Sequence, residues 1–322
     1  PKPSSAASDV YTRQNNTMVD GFINFNLNEK TPTIIKVIGV GGGGGNAVEY
    51  MYEKGICDVD FVICNTDYQA LRNSPIPCKI QLGKELTAGH GAGNNPAMGE
   101  KSAQESLADI EAILKKDTRM AFITAAMGGG TGTGAAPVIA KLSKDMGILT
   151  VGIVSVPARF EGPKRLDQAR DGLRRLKDHV DCLIVIDNEK IKSIYGSQTI
   201  SQAFAKANDV LNIAAKGIAE IITLPGYINV DFADVRTVMT DSGVAIMGAA
   251  QATGEDRAIR AITEALESPL LNNNDILGAK DILLNITSGT DEITMDEMSQ
   301  ITSHIIRKVG NNAAVISVSY TH

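Results

Sequence analysis

The sequence predicts an α/β protein with a Rossmann-like nucleotide-binding domain on a mostly parallel sheet, a long connecting helix and a second, smaller α/β domain. Three observations carry this expectation. Short apolar runs alternate with helical patterns up to about residue 186, glycine clusters sit where strand signals give way to helix signals, and a long amphipathic stretch then separates this region from a further strand and helix alternation. At 322 residues the chain is too long for one ordinary core and suits two domains of unequal size.

Residues 1–31, rich in Ser, Asn, Thr and Lys, have weak periodicity and are expected to form a flexible arm. The folded part begins near residue 32. Strands are expected at 34–38, 61–64, 120–126, 150–156 and 182–186, and helices at 46–54, 101–115, 135–145 and 163–177. These fill a first domain over 32–197. The connecting helix, 198–224, opens with Thr199 and Gln202 in capping-box positions and stacks Ile200, Phe204, Ala207, Leu211, Ala214, Ile218 and Ile222 on one face. Strands at 244–249, 282–286 and 313–320, with helices at 255–266 and 295–309, make the second domain over 225–322. Its last helix is bounded by Thr294 and Glu297 at one end and Gly310 at the other.

Hydrophobic residues at 43% and charged residues at 21% fit a water-soluble globular protein. The net charge of -6, with no basic run, excludes a general nucleic-acid binder, so any phosphate must be held locally. Cys57, Cys64, Cys78 and Cys182 show neither Cys-x-x-Cys pairing nor a nearby His and read as reduced core thiols. No apolar stretch of roughly eighteen residues and no signal-peptide pattern appears, so a cytoplasmic protein without direct membrane insertion is expected.

The glycine clusters carry the chemistry. Residues 128–134 read Gly-Gly-Gly-Thr-Gly-Thr-Gly between a strand and a helix, which aims bare amides outward at a helix N-terminus, a phosphate-binding arrangement. A second cluster, residues 39–46, follows the first strand and runs into a helix. It satisfies G-x-G-x-x-G, a weak signal in so glycine-rich a run, and Asn65-Thr66-Asp67 offers no clear acidic ribose ligand after the second strand. A nicotinamide-dependent oxidoreductase is therefore a distant alternative. Neither cluster holds the Lys of a P-loop, which leaves backbone amides, two helix termini and a metal ion to meet the phosphate charge. A third glycine-rich stretch, 89–96, either closes over a terminal phosphate or is a mobile surface turn.

Polar residues near these clusters admit two readings each. Glu161 and Arg165 follow a strand at the carboxyl edge, where Glu can accept from ribose hydroxyls or merely begin a helix. Asn208, off the apolar stripe of the long helix, can pair with a purine edge or simply face solvent. Asp231 and Asp234 lie three apart past that helix, on one face if the segment enters another helix, and either cap that second helix or serve catalysis. Two acids repel a polyanionic nucleotide unless a metal or a water lies between, and keeping them apart from it until needed is one way out.

Together the segments 39–46, Asn65-Thr66-Asp67, 128–134, 160–165 and 229–235 resemble the tubulin and FtsZ superfamily, nearest to its bacterial division branch, from about residue 32 to residue 320. The resemblance implies a GTPase that polymerises head to tail into the cytokinetic ring at the division site, with GTP or GDP as ligand and Mg2+ beside it. It implies that Gly42, Gly43, Gly44, Gly45 and Asn46, with Gly130, Thr131 and Gly132, hold phosphates. Glu161 and Arg165 would meet the ribose and its surroundings, and Asn208 would read guanine. Asn229, Asp231 and Asp234 would form a loop that reaches the nucleotide of the next subunit, which makes 225–322 a GTPase-activating domain. A related filament GTPase of plasmid segregation is the alternative within the fold. Ala97 stands where the superfamily usually has Glu, and Tyr68 replaces a small residue. The chain lacks an initiator Met and stops at His322, before the linker and terminal peptide that the resemblance implies for recruiting membrane adaptors and division proteins, so a shortened chain is expected.

Overall fold

A strand covered by helices on both faces needs no polar alternation, and the near-continuous apolar runs of this sequence form such strands. The computed structural model describes residues 33–224, 230–267, 278–310 and 313–321. In chain order the first part comprises β1 (Ile35–Val40), α1 (Gly41–Glu53), β2 (Val59–Asn65), α2 (Tyr68–Asn73), β3 (Cys78–Gln81), the single turn α3 (Lys84–Thr87), α4 (Pro96–Glu105) and α5 (Leu107–Leu114). There follow β4 (Met120–Ala126), α6 (Thr131–Asp145), β5 (Leu149–Val156), α7 (Pro163–Lys177), β6 (Cys182–Asp187) and α8 (Asn188–Tyr195). The rest comprises α9 (Ile200–Thr223), α10 (Phe232–Met239), β7 (Gly243–Ala245), α11 (Arg257–Leu266), β8 (Asp281–Ser288), α12 (Met295–Val309) and β9 (Ala314–Thr321).

Seven strands pair in the order β3-β2-β1-β4-β5-β6-β7, every neighbouring pair parallel. Successive side chains point to opposite faces. Ile35, Val37, Phe61, Ile63, Phe122 and Ile153 pack with α1 and α9 on one face. Ile38, Val62, Ile123, Ala125 and Val154 pack with α5, α6 and α7 on the other. Each large apolar side chain so buried contributes about 1.5–3 kcal/mol.

Several elements differ from the sequence expectation. The helix expected over 101–115 is two helices, because the Ser106 hydroxyl accepts the Gly83 N–H at 3.1 Å and donates to the Gln81 carbonyl at 3.4 Å, tying the break to β3. The strand expected over 244–249 is only Gly243–Ala245, and it extends the large sheet beside β6 rather than joining the second domain. Phe204 is 45% exposed and stands outside the packed stripe of α9, whose buried face runs from Ala207 and Leu211 onward.

The Thr199 and Gln202 capping box opens α9 as expected. Leu211, Ala214 and Ile218 share one core with the sheet and with Val318 of β9, so this helix is packed on both sides. Beyond it, β8 and β9 pair in parallel, and Ile262 of α11 packs against Ile301, Ile305 and Val309 of α12. Among the described residues no helix is long and apolar enough to cross a membrane.

The second domain is clasped by Arg257, whose Nε and Nη2 donate to the two carboxylate oxygens of Glu297 at 2.6 and 3.0 Å. That fork, with the Thr294 N–H, holds the Glu297 carboxyl at about 2. A carboxyl depressed in the folded state adds stability above the ordinary carboxylate range and loses it as pH falls towards 2. Solvent screening keeps the effect small, so Glu297→Gln should cost roughly 1 kcal/mol in urea unfolding at neutral pH. The gap from the parent should close as pH drops towards 2, and an equal gap at both ends would contradict the assignment.

Candidate functional site

In an open parallel sheet the crevice for ligands lies where neighbouring strands connect in opposite directions, beyond their carboxyl ends. Here that point falls between β1 and β4, since β1 leads outward to β2 and β4 leads outward to β5. Both glycine clusters sit there. The first is a turn and a helix start rather than a loop: Gly41, at φ 72°, swings the chain directly into α1. A Cβ on Gly43 would lie 2.3 Å from the Ala126 Cβ, and one on Gly44 would lie 2.4 Å from the Thr124 carbonyl oxygen. A Cβ on Gly132 would lie 2.6 Å from the Ala126 carbonyl oxygen. These glycines let α1 and α6 seat against the end of β4. A Cβ on Gly41 would fall 2.9 Å from the Gly132 nitrogen, so the two helix starts also meet each other.

Gly42 and Gly45 differ, because a Cβ on either would meet nothing within 4 Å. They border a cavity of about 210 Å³ together with Asn46, Asn65 and Leu71. Neither Val40 nor Gly130, the residues that precede α1 and α6, caps its helix with a side chain. First-turn amides therefore stay available at two converging positive helix ends, which is the chemistry that receives a phosphate chain.

The stretch 89–96 is a wall of this site and not a loose turn. Thr66 and Thr131 join their hydroxyls at 2.7 Å, and the Gly91 N–H donates to the Thr66 carbonyl at 3.2 Å. A Cβ on Gly130 would lie 2.8 Å from the Asn95 nitrogen, so this segment lies directly against the second glycine cluster. Asn95 caps α4 by accepting the Ala97 N–H at 3.0 Å, a bond that Ala97 makes through its backbone. Asp67 accepts the Gln69 and Ala70 N–H groups and is thereby committed to capping α2.

Glu161 closes a short 3-10 turn after β5. One carboxylate oxygen accepts the Ala158 N–H at 3.0 Å, and the other pairs with Arg165 at 2.9 Å. The Arg165 carbonyl would lie 2.9 Å from a Cβ on Gly128, which sets this pair beside the second cluster. The Arg159 N–H donates to Glu189 at 2.8 Å, tying the turn to α8 and lowering the Glu189 carboxyl. On the other side, Tyr50 of α1 donates to Asp209 of α9 at 3.2 Å. Asn208, beside it in the chain, is half-buried, and its side chain has no hydrogen-bond partner among the described residues.

One residue escaped the sequence reading. Asn188 follows β6 at the same carboxyl edge, and its side-chain oxygen is buried without a partner among the described residues. The available signal was a polar residue one step past an apolar strand, which is slight evidence in any sequence.

Asp231 and Asp234 stand elsewhere. Asp231 accepts the Asp234 N–H at 2.9 Å, and Asp234 accepts the Asp231 N–H at 3.4 Å, a capping box that opens α10 with both residues exposed. Arg236 of the same helix donates to the Gly147 carbonyl at 3.2 Å, just before β5, so α10 lies at the amino edge of the sheet. The carboxylates and the glycine clusters thus occupy opposite edges of one molecule; α9 alone advances roughly 22 Å between Asn208 and Thr223. Asn229 lies outside the described residues. Among the described residues no group of three or more His, Cys, Asp or Glu side chains is placed to hold a metal. A Mg2+ ion here would take its ligands mainly from phosphate oxygens and waters, the usual mode with nucleotides.

Fold and site define a class: a nucleotide-binding α/β protein in which two uncapped, glycine-packed helix starts converge at the switch point of a parallel sheet. Comparison with known families makes this specific. Residues 34–196 match the model for the Tubulin/FtsZ family, GTPase domain, and residues 243–320 match that for the FtsZ family, C-terminal domain. The chain belongs to the FtsZ family. It is 51% identical over 287 residues to the cell division protein FtsZ of Porphyromonas gingivalis, covering 88% of this chain and 63% of that protein. It is 50% identical over 284 residues to the protein of that name from Buchnera aphidicola, covering 88% of this chain and 73% of that one. Among solved structures, an empty FtsZ dimer from M. jannaschii is 42% identical with a TM-score of 0.84, over 92% of this chain and 85% of that one.

Proposed function

We propose that this chain binds GTP between its two glycine clusters, assembles head to tail with copies of itself, and hydrolyses GTP to GDP and phosphate with carboxylates lent by the neighbouring subunit. The observation that carries this reading is the separation of receptive amides at one edge of the sheet from the exposed Asp231 and Asp234 at the other. Stacking two copies with these edges facing completes a site that neither copy holds alone.

In this mechanism the amides of Gly42 to Asn46 and of Gly130, Thr131 and Gly132 take up charge on the phosphoryl oxygens. Bound Mg2+ would neutralise part of the phosphate charge. Glu161 and Arg165 flank the ribose, and Asn208 pairs with the base, with Asn188 at the same rim. Asp231 and Asp234 of the next subunit orient the attacking water, assisted by Asn229. Residues 32–197 serve as the GTP-binding domain, 198–224 as the connecting helix and 225–322 as the activating domain. Relatives named as cell division proteins support a cytoplasmic role at the division site.

Light scattering and phosphate release, followed after adding GTP or NAD, test the class directly. Scattering should rise with GTP alone and fall as phosphate accumulates. A rise with NAD, or phosphate release independent of protein concentration, would reject the reading.

A further inference from the structure

Resting on that in-trans reading, a second question is what fixes the donor carboxylates in place. α10 spans only Phe232–Met239, too short to persist by itself, and buries just Val235 and Met239. Its carboxyl end is stapled to the amino edge of the sheet through one buried group. Asp181, 5% exposed, accepts the Thr150 N–H at 2.9 Å through its carboxylate. Its carbonyl receives the Gly243 N–H at 3.0 Å and the Ser242 hydroxyl at 3.4 Å. Lys144, from the last turn of α6, spans the gap: its Nζ lies 3.2 Å from Asp181 and 2.7 Å from Asp241, in the turn that leaves α10. It also donates to the Val180 carbonyl at 3.4 Å. Asp241 holds a left-handed φ of 51°, a conformation that its ion pair helps to retain.

We propose that Lys144 is a positioning residue for hydrolysis: by bridging Asp181 to Asp241 it fixes the angle at which α10 leaves the sheet and so where Asp231 and Asp234 meet the nucleotide of the adjoining copy. The bond to Asp241, opposed by desolvation and aided by Asp181, raises the Lys144 pKa, so the bridge stays charged across the working range. A small tilt at this end of α10 displaces the carboxylates at its other end, and displacements of about 1 Å can cost 10²-fold in rate.

The test compares Lys144→Met, Lys144→Arg, Asp241→Asn and Asp234→Ala with the parent, reading GTP affinity, the pelleted fraction and phosphate release per pelleted subunit. Lys144→Met should lose about tenfold or more in release per assembled subunit at unchanged GTP affinity, and Lys144→Arg should recover most of it. Asp241→Asn alters an exposed side chain and leaves the buried pair intact, so it should show a smaller loss in the same quantity while folding normally. Parent-like release from both Lys144→Met and Asp241→Asn overturns the proposal, as does loss of assembly with release per pelleted subunit unchanged. If those two are parent-like while Asp234→Ala is inactive, the in-trans reading survives and only the role of Lys144 falls. If Asp234→Ala is fully active, both fall.

Discussion

Asp234→Ala should bind GTP as the parent does and lose most of its turnover. The carboxylate lies at the amino edge of the sheet, remote from the glycine clusters of its own molecule, so its removal leaves the binding surface untouched. What should disappear is the proposed assistance to the attacking water, typically about 10²- to 10⁴-fold, or roughly 3–5 kcal/mol at the barrier. The side chain also accepts the Asp231 N–H at 3.4 Å, a long bond whose loss at an exposed helix start costs about 1 kcal/mol or less. Nucleotide binding by equilibrium dialysis and phosphate release above the assembly threshold separate the two effects. Equal loss of binding and turnover would place Asp234 in its own subunit's site and defeat the in-trans arrangement.

Gly44→Ala and Gly45→Ala, adjacent and chemically identical changes, should have opposite effects on the free protein. The new methyl at Gly44 would press on the Thr124 carbonyl at 2.4 Å, a backbone atom that cannot rotate away, so α1 must lift from β4. That overpacking costs about 1–3 kcal/mol, and misdirected amides should weaken GTP binding roughly 10- to 100-fold. At Gly45 nothing lies within 4 Å, so alanine should raise the melting temperature through helix propensity worth about 0.5–1 kcal/mol. The same methyl intrudes on the cavity beside Asn46 and should still weaken GTP binding. Calorimetric melting and nucleotide titration read both quantities, and a Gly45→Ala chain that binds GTP as tightly as the parent would remove the phosphates from this cavity.

The parts of the fold written in strong local signals were legible. Apolar runs located β1, β4, β5 and β6, and capping residues set the ends of α9 and α12. β3 was missed because Cys78-Lys79-Ile80-Gln81 holds too little apolar surface to read as a strand, and it owes its place to pairing with β2. The first glycine run looked like a loop because glycine is a poor helix former, but close packing against β4 outweighs that propensity. At the site, the two glycine-rich helix starts followed from their place between strand and helix signals. Asp231 and Asp234 did not resolve from sequence, since capping and water orientation call for the same residue type at the same place. The structure realises the cap and leaves any second task to another copy of the chain.

In the proposed stacking unlike edges of the sheet meet, which makes the contact between copies heterologous rather than self-complementary. Every open row of that kind would end in one molecule whose triphosphate faces bare solvent and waits unspent. A pair would cleave at one of its two positions, while long rows would approach full occupancy of working positions. Activity per molecule would therefore climb with row length.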